Sequence, residues 1–137
     1  MLILNVKEEG LEHSLINLMD MANIKNYFFL DQSFPFLLKY SKDAEGRSAV
    51  RFSEYESIQS VYALNKLCNW VWVDCFSKNP LTINKYRKLK EYNFKICVVS
   101  PELQGRNSTV EILKMKEDFS KKMIYPDAVC TKLPNLW

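Results

Sequence analysis

Seven charged residues follow the strand-like segments of this chain at comparable points: Lys7, Asp31, Arg51, Glu54, Asp74, Glu102 and Lys132. Mixed charges converging on one mouth suit an anionic ligand, taken with or without a divalent cation. Lys7, Arg51, Glu54, Asp74 and Glu102 form the candidate substrate-binding set, and Asp31 and Lys132 are candidate rim residues. A plainer reading stands beside this one. Polar residues follow strands in every α/β protein because loops face water, and Asp31 and Asp74 could equally be helix caps.

Other chemistries are excluded or poorly supported. His13 is the one histidine, so no mechanism can use two histidines of this chain. Set between Leu11 and Leu15 near a helix start, it reads as a surface or half-buried side chain. Gly10, Gly46 and Gly105 are the only glycines and lie far apart, which removes any glycine-rich phosphate loop. Cys68, Cys75, Cys97 and Cys130 form no CxxC pair, so a zinc site has little support and no metal ligand is assigned. They read as buried reduced thiols.

A length of 137 residues suits one domain, 1–137. The chain is 47% hydrophobic and 13% aromatic, too apolar for a disordered segment. A net charge of +3 makes no electrostatic case for nucleic acid. The apolar runs are too short for a membrane helix. The start Met1-Leu2-Ile3-Leu4-Asn5 has no basic, long-apolar secretory pattern, so a cytoplasmic, reducing setting is expected.

Six short β-branched or aromatic runs recur along the chain: Leu2–Val6, Tyr27–Leu30, Ala49–Phe52, Trp70–Val73, Ile96–Val99 and Ala128–Cys130. Each ends in polar residues, as a buried strand does. Segments of helical period lie between them. Leu11, Leu15, Leu18 and Ala22 predict one apolar stripe, and Ile58, Val61 and Tyr62 another. Ser33 before Phe34-Pro35 reads as an N-cap, and Thr82 can cap a helix carrying Ile83, Tyr86 and Leu89. Ser108 and Glu111 have capping-box spacing ahead of Ile112, Met115 and Phe119. The Trp70/Trp72 alternation reads as core packing.

This alternation predicts an α/β fold with parallel strands and crossover helices. An open doubly wound sheet and part of an eight-stranded barrel both satisfy it. Both put functional residues at the carboxyl ends of strands. A response-regulator-like open sheet would want an acidic cluster after its first strand, which Lys7-Glu8-Glu9 supplies poorly.

Six strings occur in an ordered set from Leu2 to Trp137: Leu4-Asn5-Val6-Lys7, Phe29-Leu30-Asp31, Arg51-Phe52-Ser53-Glu54-Tyr55-Glu56, Val73-Asp74-Cys75-Phe76, Val99-Ser100-Pro101-Glu102-Leu103 and Cys130-Thr131-Lys132-Leu133-Pro134. Together they resemble the later part of the glycerophosphodiester phosphodiesterase-like family, within the phosphatidylinositol phosphodiesterase-like barrel group. The nearest resemblance is to bacterial members encoded beside surface-polysaccharide genes.

The resemblance implies an incomplete (β/α)8 TIM barrel entered at its third strand, the six parallel strands being strands three to eight. It implies hydrolysis of a phosphodiester of glycerol or another polyol. The family's two acid–base histidines and two of its carboxylate ligands belong to strands one and two, which have no counterpart here. Its third-strand glutamate, a metal ligand, falls at Lys7 in the register Asn5-Val6-Lys7-Glu8-Glu9, and the polysaccharide-linked members carry lysine there too. An ammonium cannot ligate a metal but can meet phosphate oxygens directly. Mg²⁺ or Ca²⁺ would belong to a complete barrel only.

The expected function is therefore that of the C-terminal part of a phosphodiesterase-like hydrolase, inactive alone. The alternative is a non-catalytic α/β module that binds an anionic ligand or a protein partner. The strand-like run starting at residue 2 suggests truncation. Two open edges would then invite a fragment supplying strands one and two, or self-association. The expected sheet has six strands in sequence order with Leu2–Val6 and Ala128–Cys130 at its edges. Lys7, Asp31, Glu54, Asp74 and Glu102 should share one end of it.

Overall fold

The computed structural model describes residues 1–42 and 46–137. Among these residues six strands alternate with five helices: β1 (Leu2–Asn5), α1 (Glu12–Met21), β2 (Tyr27–Leu30), α2 (Phe34–Lys42), β3 (Ala49–Phe52), α3 (Ile58–Ala63), β4 (Trp70–Val73), α4 (Ile83–Glu91), β5 (Lys95–Val99), α5 (Ser108–Lys122) and β6 (Ala128–Cys130). Short 3-10 turns follow β5 at Pro101–Gln104 and close the chain at Pro134–Leu136. All the strand pairs are parallel. Among the described residues no helix is long and apolar enough to cross a membrane.

The strands follow one another in sequence order, but not in one sheet. β1 and β2 form a two-stranded sheet, and β3-β4-β5-β6 a four-stranded one. This corrects the expectation of a single six-stranded sheet. Between β2 and β3 the ladder reduces to one parallel bridge, Phe29 to Ser48, with Phe29 N donating to Arg47 O at 2.9 Å. Beyond it, side chains replace backbone pairing. The Ser48 hydroxyl donates to Gln32 Oε1 at 2.7 Å, and Arg51 Nη1 donates to Asp31 Oδ1 at 3.0 Å. Asp31 has φ 61°, a left-handed conformation tolerated by aspartate, which ends β2 and turns the chain away.

The two faces of the strands are unlike. Val50, Phe52, Val71, Val73, Ile96 and Val98 pack against helix residues that include Leu37, Val61, Leu89, Met115 and Phe119. Tyr27 and Phe29 pack against Met19 of α1. The opposite face carries Phe28, Leu30, Ala49, Trp70, Trp72, Cys97 and Val99, and among the described residues no α-helical one joins that cluster. Parallel strands laid in sequence order with crossovers of one hand put every helix on one side. The other side here buries itself. Phe28 stacks on Trp70, centroids 4.6 Å apart, reaching from β2 to β4 over the small Ala49 of β3. The Trp70/Trp72 alternation is core packing, as its period suggests.

Local signals mostly hold, with three shifts. Thr82 caps α4 through Lys85 N. The cap of α5 is Asn107, whose Oδ1 accepts from Val110 N at 3.1 Å, not Ser108, which is already helical. Glu111 does not turn back to cap; it pairs with Arg106 and Lys114. The Ser33 hydroxyl donates to Glu9 Oε1 at 2.6 Å, while its carbonyl accepts from Leu37 N. In α1 the inward face is rotated: Leu11 and Leu18 are exposed, whereas Glu12 and Met19 are buried. Cys68, Cys75 and Cys97 are buried free thiols, and Cys130 is a half-buried one.

Candidate functional site

Parallel strands deliver the residues that follow them to one end of the fold. Four of the seven candidates are joined there into an ion-pair chain that crosses successive strand ends. Lys7 Nζ bonds Asp31 Oδ2. Asp31 Oδ1 meets Arg51 Nη1 at 3.0 Å, and Arg51 Nη2 meets Asp74 Oδ2 at 2.6 Å. Gln104, from the 3-10 turn after β5, completes it by donating Nε2 to Asp74 Oδ1 at 2.9 Å. Glu56 Oε1 lies 3.6 Å from Arg51 Nε. Arg51 thus has three carboxylates around it.

The chain runs from water into the fold. The Lys7 side chain is 71% exposed, and that of Asp74 is 3% exposed. Burial pushes the Asp74 carboxyl above its ordinary value, and the neighbouring Arg51 charge only partly restores it. Burial pulls on Arg51 too, but the charges of Asp74, Asp31 and Glu56 outweigh it and raise its pKa. Asp74 is the more deeply buried partner, so the unfavourable solvation of the pair falls mainly on it.

The remaining three candidates sit at the same end but in local clamps. Glu54 Oε1 accepts from Ser77 N at 2.6 Å, Ser77 Oγ at 2.8 Å and Lys78 N at 3.1 Å. Burial opposes ionisation of Glu54, yet these donors carry its pKa down to about 2. The carboxylate therefore ties the loop after β3 to the loop after β4. Glu102 Oε1 accepts from Thr131 Oγ1 at 2.6 Å and from Lys132 N at 3.0 Å, and Oε2 accepts from Ser100 Oγ. Against burial, these bonds hold Glu102 below the usual carboxylate range. Lys132 is exposed and enters this clamp through its backbone. His13 is exposed on α1 with its ring 5.0 Å from that of Tyr40.

Two cavities open beside Asp31 and Gln32. One of about 310 Å³ lies where β2 and β3 part, lined by Phe34, Leu37, Ala49, Arg51 and Glu56 among others. The other, of about 270 Å³, lies at the ends of β1 and β2. Among the described residues, the buried side-chain polar atoms without a hydrogen bond are Glu12 Oε2, Arg51 Nε, Glu54 Oε2 and Glu56 Oε2. All four belong to residues at this end. Such groups are uncommon in folded proteins and each calls for an explanation.

The chain matches no protein-family model, no curated protein and no solved structure.

A resident divalent cation does not fit these residues. Asp31, Glu56 and Asp74 converge on the Arg51 guanidinium rather than on a shared point. Among the described residues no three His, Cys, Asp or Glu side chains are grouped to hold a metal. Lys7 is exposed and pairs with one carboxylate, Arg51 is half-buried among three, and apolar side chains line part of the larger cavity. Glu12, Gln32, Glu56 and Gln104 escaped the sequence reading. Glu12 alone carried a signal, being a charged residue in register with Ile16 and Met19 on a helix face.

Proposed function

We propose that this chain is the C-terminal part of a phosphodiesterase-like α/β barrel, and that it binds a polyol phosphodiester at this rim without cleaving it. The observation that carries the reading is the Lys7–Asp31–Arg51–Asp74 chain, which links four successive strand ends above a one-sided helical layer. Sequential parallel strands, helices on one face and an aromatic-filled opposite face support a barrel segment over a doubly wound sheet, which would have helices on both faces. Lys7 leaves Asp31 to meet the phosphate oxygens, and Arg51 adds its charge from a fixed position. The polyol hydroxyls pair with Asp31 and Glu56. Acid–base catalysis by histidine contributes roughly 10²–10⁴-fold, and no histidine stands at this rim, so turnover is negligible.

The test is titration of the pure chain with a glycerophosphodiester, followed by calorimetry, beside a hydrolysis assay with and without Mg²⁺ or Ca²⁺. Saturable binding that Lys7→Gln weakens roughly tenfold, about 1.4 kcal/mol, supports the proposal. Absence of binding, or rapid turnover by the chain alone, overturns it.

A second reading, a module that docks a protein partner, is favoured by the strand edges. Among the described residues, β1 pairs only with β2, and β6 only with β5. Their outer edges offer backbone donors and acceptors to a fragment supplying two strands, or to another copy. Light scattering across a concentration series tests the self-association arm. A monodisperse monomer at high concentration, with no gain on adding a two-strand fragment, refutes this reading.

A further inference from the structure

β1 leaves one side of its backbone open. Leu2 N donates to Asn26 O at 2.9 Å and Val6 N donates to Leu30 O at 2.8 Å, so the even-numbered residues of this run turn their amides towards β2. Backbone groups alternate in direction along a strand, so Ile3 and Asn5 point theirs away from β2. Among the described residues β1 has no second pairing partner. Natural sheet edges are guarded by brevity, charge or proline. β6 is three residues long, with Asp127 just before it and Lys132 shortly after. Met1–Val6 holds neither a charged side chain nor a proline.

The helix beside this edge is apolar on the same side. The His13 ring of α1 meets Tyr40 of α2, which marks the flank of α1 that faces its neighbour. By helical periodicity Leu11, Leu15, Leu18 and Ala22 lie on the opposite flank. Leu11 is 38% exposed and Leu18 53%, while Leu15 is half-buried where it packs near Tyr27 and Phe29. α1 forms the crossover from β1 to β2, so the flank turned away from α2 borders the open side of β1. An unguarded strand edge and an apolar helix stripe therefore make one continuous surface.

We infer that a second copy of this chain covers this surface: β1 pairs antiparallel with β1 of the other copy about a two-fold axis at Leu4, and the two α1 stripes pack together. This rests on the open-edge reading above and names the occupant of one edge. In that register Ile3 of each copy faces Asn5 of the other, and the outward amides and carbonyls of both are satisfied. Leu4 belongs to the cluster on the helix side, so the two Leu4 side chains meet beneath the stripes. A two-fold axis sets a surface against itself, where any charge would meet its own sign; an uncharged surface is the kind that accepts its own copy. Lys7, the first charged side chain after the strand, is drawn to Asp31 on the β2 side. Pairing of β1 with β6 of another copy would instead be heterologous and would not close at two.

The test is sedimentation velocity of the whole chain over a concentration series, with hydrogen exchange of the Ile3 and Asn5 amides followed by NMR at each concentration. We expect a monomer–dimer equilibrium in the micromolar range, with exchange at both amides slowing as the dimer forms. Leu18→Glu should raise the dimer dissociation constant roughly tenfold or more. Leu113→Glu, on α5 and equally exposed at 53%, should leave it unchanged. Leu18 is exposed, so its replacement keeps the fold, and exchange in the parent chain reads the edge without any variant. A monomer at every concentration, oligomers that grow beyond two, a dimer indifferent to Leu18→Glu or weakened equally by both variants, or amide exchange independent of concentration overturns the inference. The open-edge reading is judged separately, since it survives growth beyond two and survives a monomer that binds the two-strand fragment.

Discussion

Replacing Arg51 with Met removes the cation that pairs with the buried Asp74 carboxylate. Gln104, donating at 2.9 Å, and the Trp72 side chain would remain on that carboxylate. At the 2.6 Å contact, the gross attraction is about 6 kcal/mol for an effective dielectric of about 20. Arg51 is 38% exposed, so solvent screens part of this, and burial of the pair offsets more. A net loss of about 2–3 kcal/mol is expected for Arg51→Met at pH 8. The loss should depend on pH with a definite sign. Burial already holds the Asp74 pKa above its unfolded value, and removal of the guanidinium raises it further. A carboxyl with a raised folded pKa binds more protons folded than unfolded, so stability falls as pH rises through that pKa. The deficit of Arg51→Met should therefore be smaller at pH 5 than at pH 8, because protonation of Asp74 grows easier as pH falls. Urea unfolding followed by tryptophan fluorescence at both values reads this directly, since Trp70 and Trp72 are each only 8% exposed. Asp74→Asn placed on Arg51→Met should return most of the lost stability. A variant as stable as the parent at pH 8, or a deficit that ignores pH, would show that the chain of ion pairs does not hold the rim.

Three further outcomes follow from the same structure. Ala49→Leu should cost about 1–3 kcal/mol in urea unfolding, because it thrusts a larger side chain beneath the Phe28–Trp70 stack; no loss would mean that the aromatic layer is loose. Glu54→Gln should cost about 1–2 kcal/mol at neutral pH. Its folded pKa lies near 2, so the parent's advantage holds above the unfolded carboxyl value and fades as pH falls towards 2; acid-series melts that keep a constant gap would contradict this. In alkylation followed by mass spectrometry at pH 8, Cys130 should react first. Burial pushes Cys75 and Cys97 up to about 12, leaving almost no thiolate, and modification of either ahead of Cys130 would refute that environment.

The strands were legible because their signal is local. Tyr27–Leu30, Ala49–Phe52, Trp70–Val73 and Ala128–Cys130 are strands with the bounds that their apolar runs suggest, and the other two differ by one residue at one end. β-branched and aromatic side chains on alternating faces need no distant information to be read. Thr82 was equally readable, because a cap and its helix lie within four residues of each other.

What distance decides was not legible. The leucines of α1 have good helical spacing, yet spacing does not say which of two overlapping faces meets the sheet. Tyr27 and Phe29 take Met19, Leu15 and Ile16, and leave Leu11 and Leu18 in water. Asn107 displaced Ser108 as a cap because either residue could serve and only the incoming chain direction chooses. The parting of β2 from β3 depends on Asp31 turning left-handed and on side chains from both strands taking over the pairing. The sequence could place seven charged residues after strands. Only the tertiary structure could join four of them in a chain and lock the other three in clamps, since contacts over twenty to thirty residues form when strands align and leave no local trace. Glu12 is the sharpest case: its type determined that it carries a carboxylate, and the packing of α1 on β2 decided that water would not reach it.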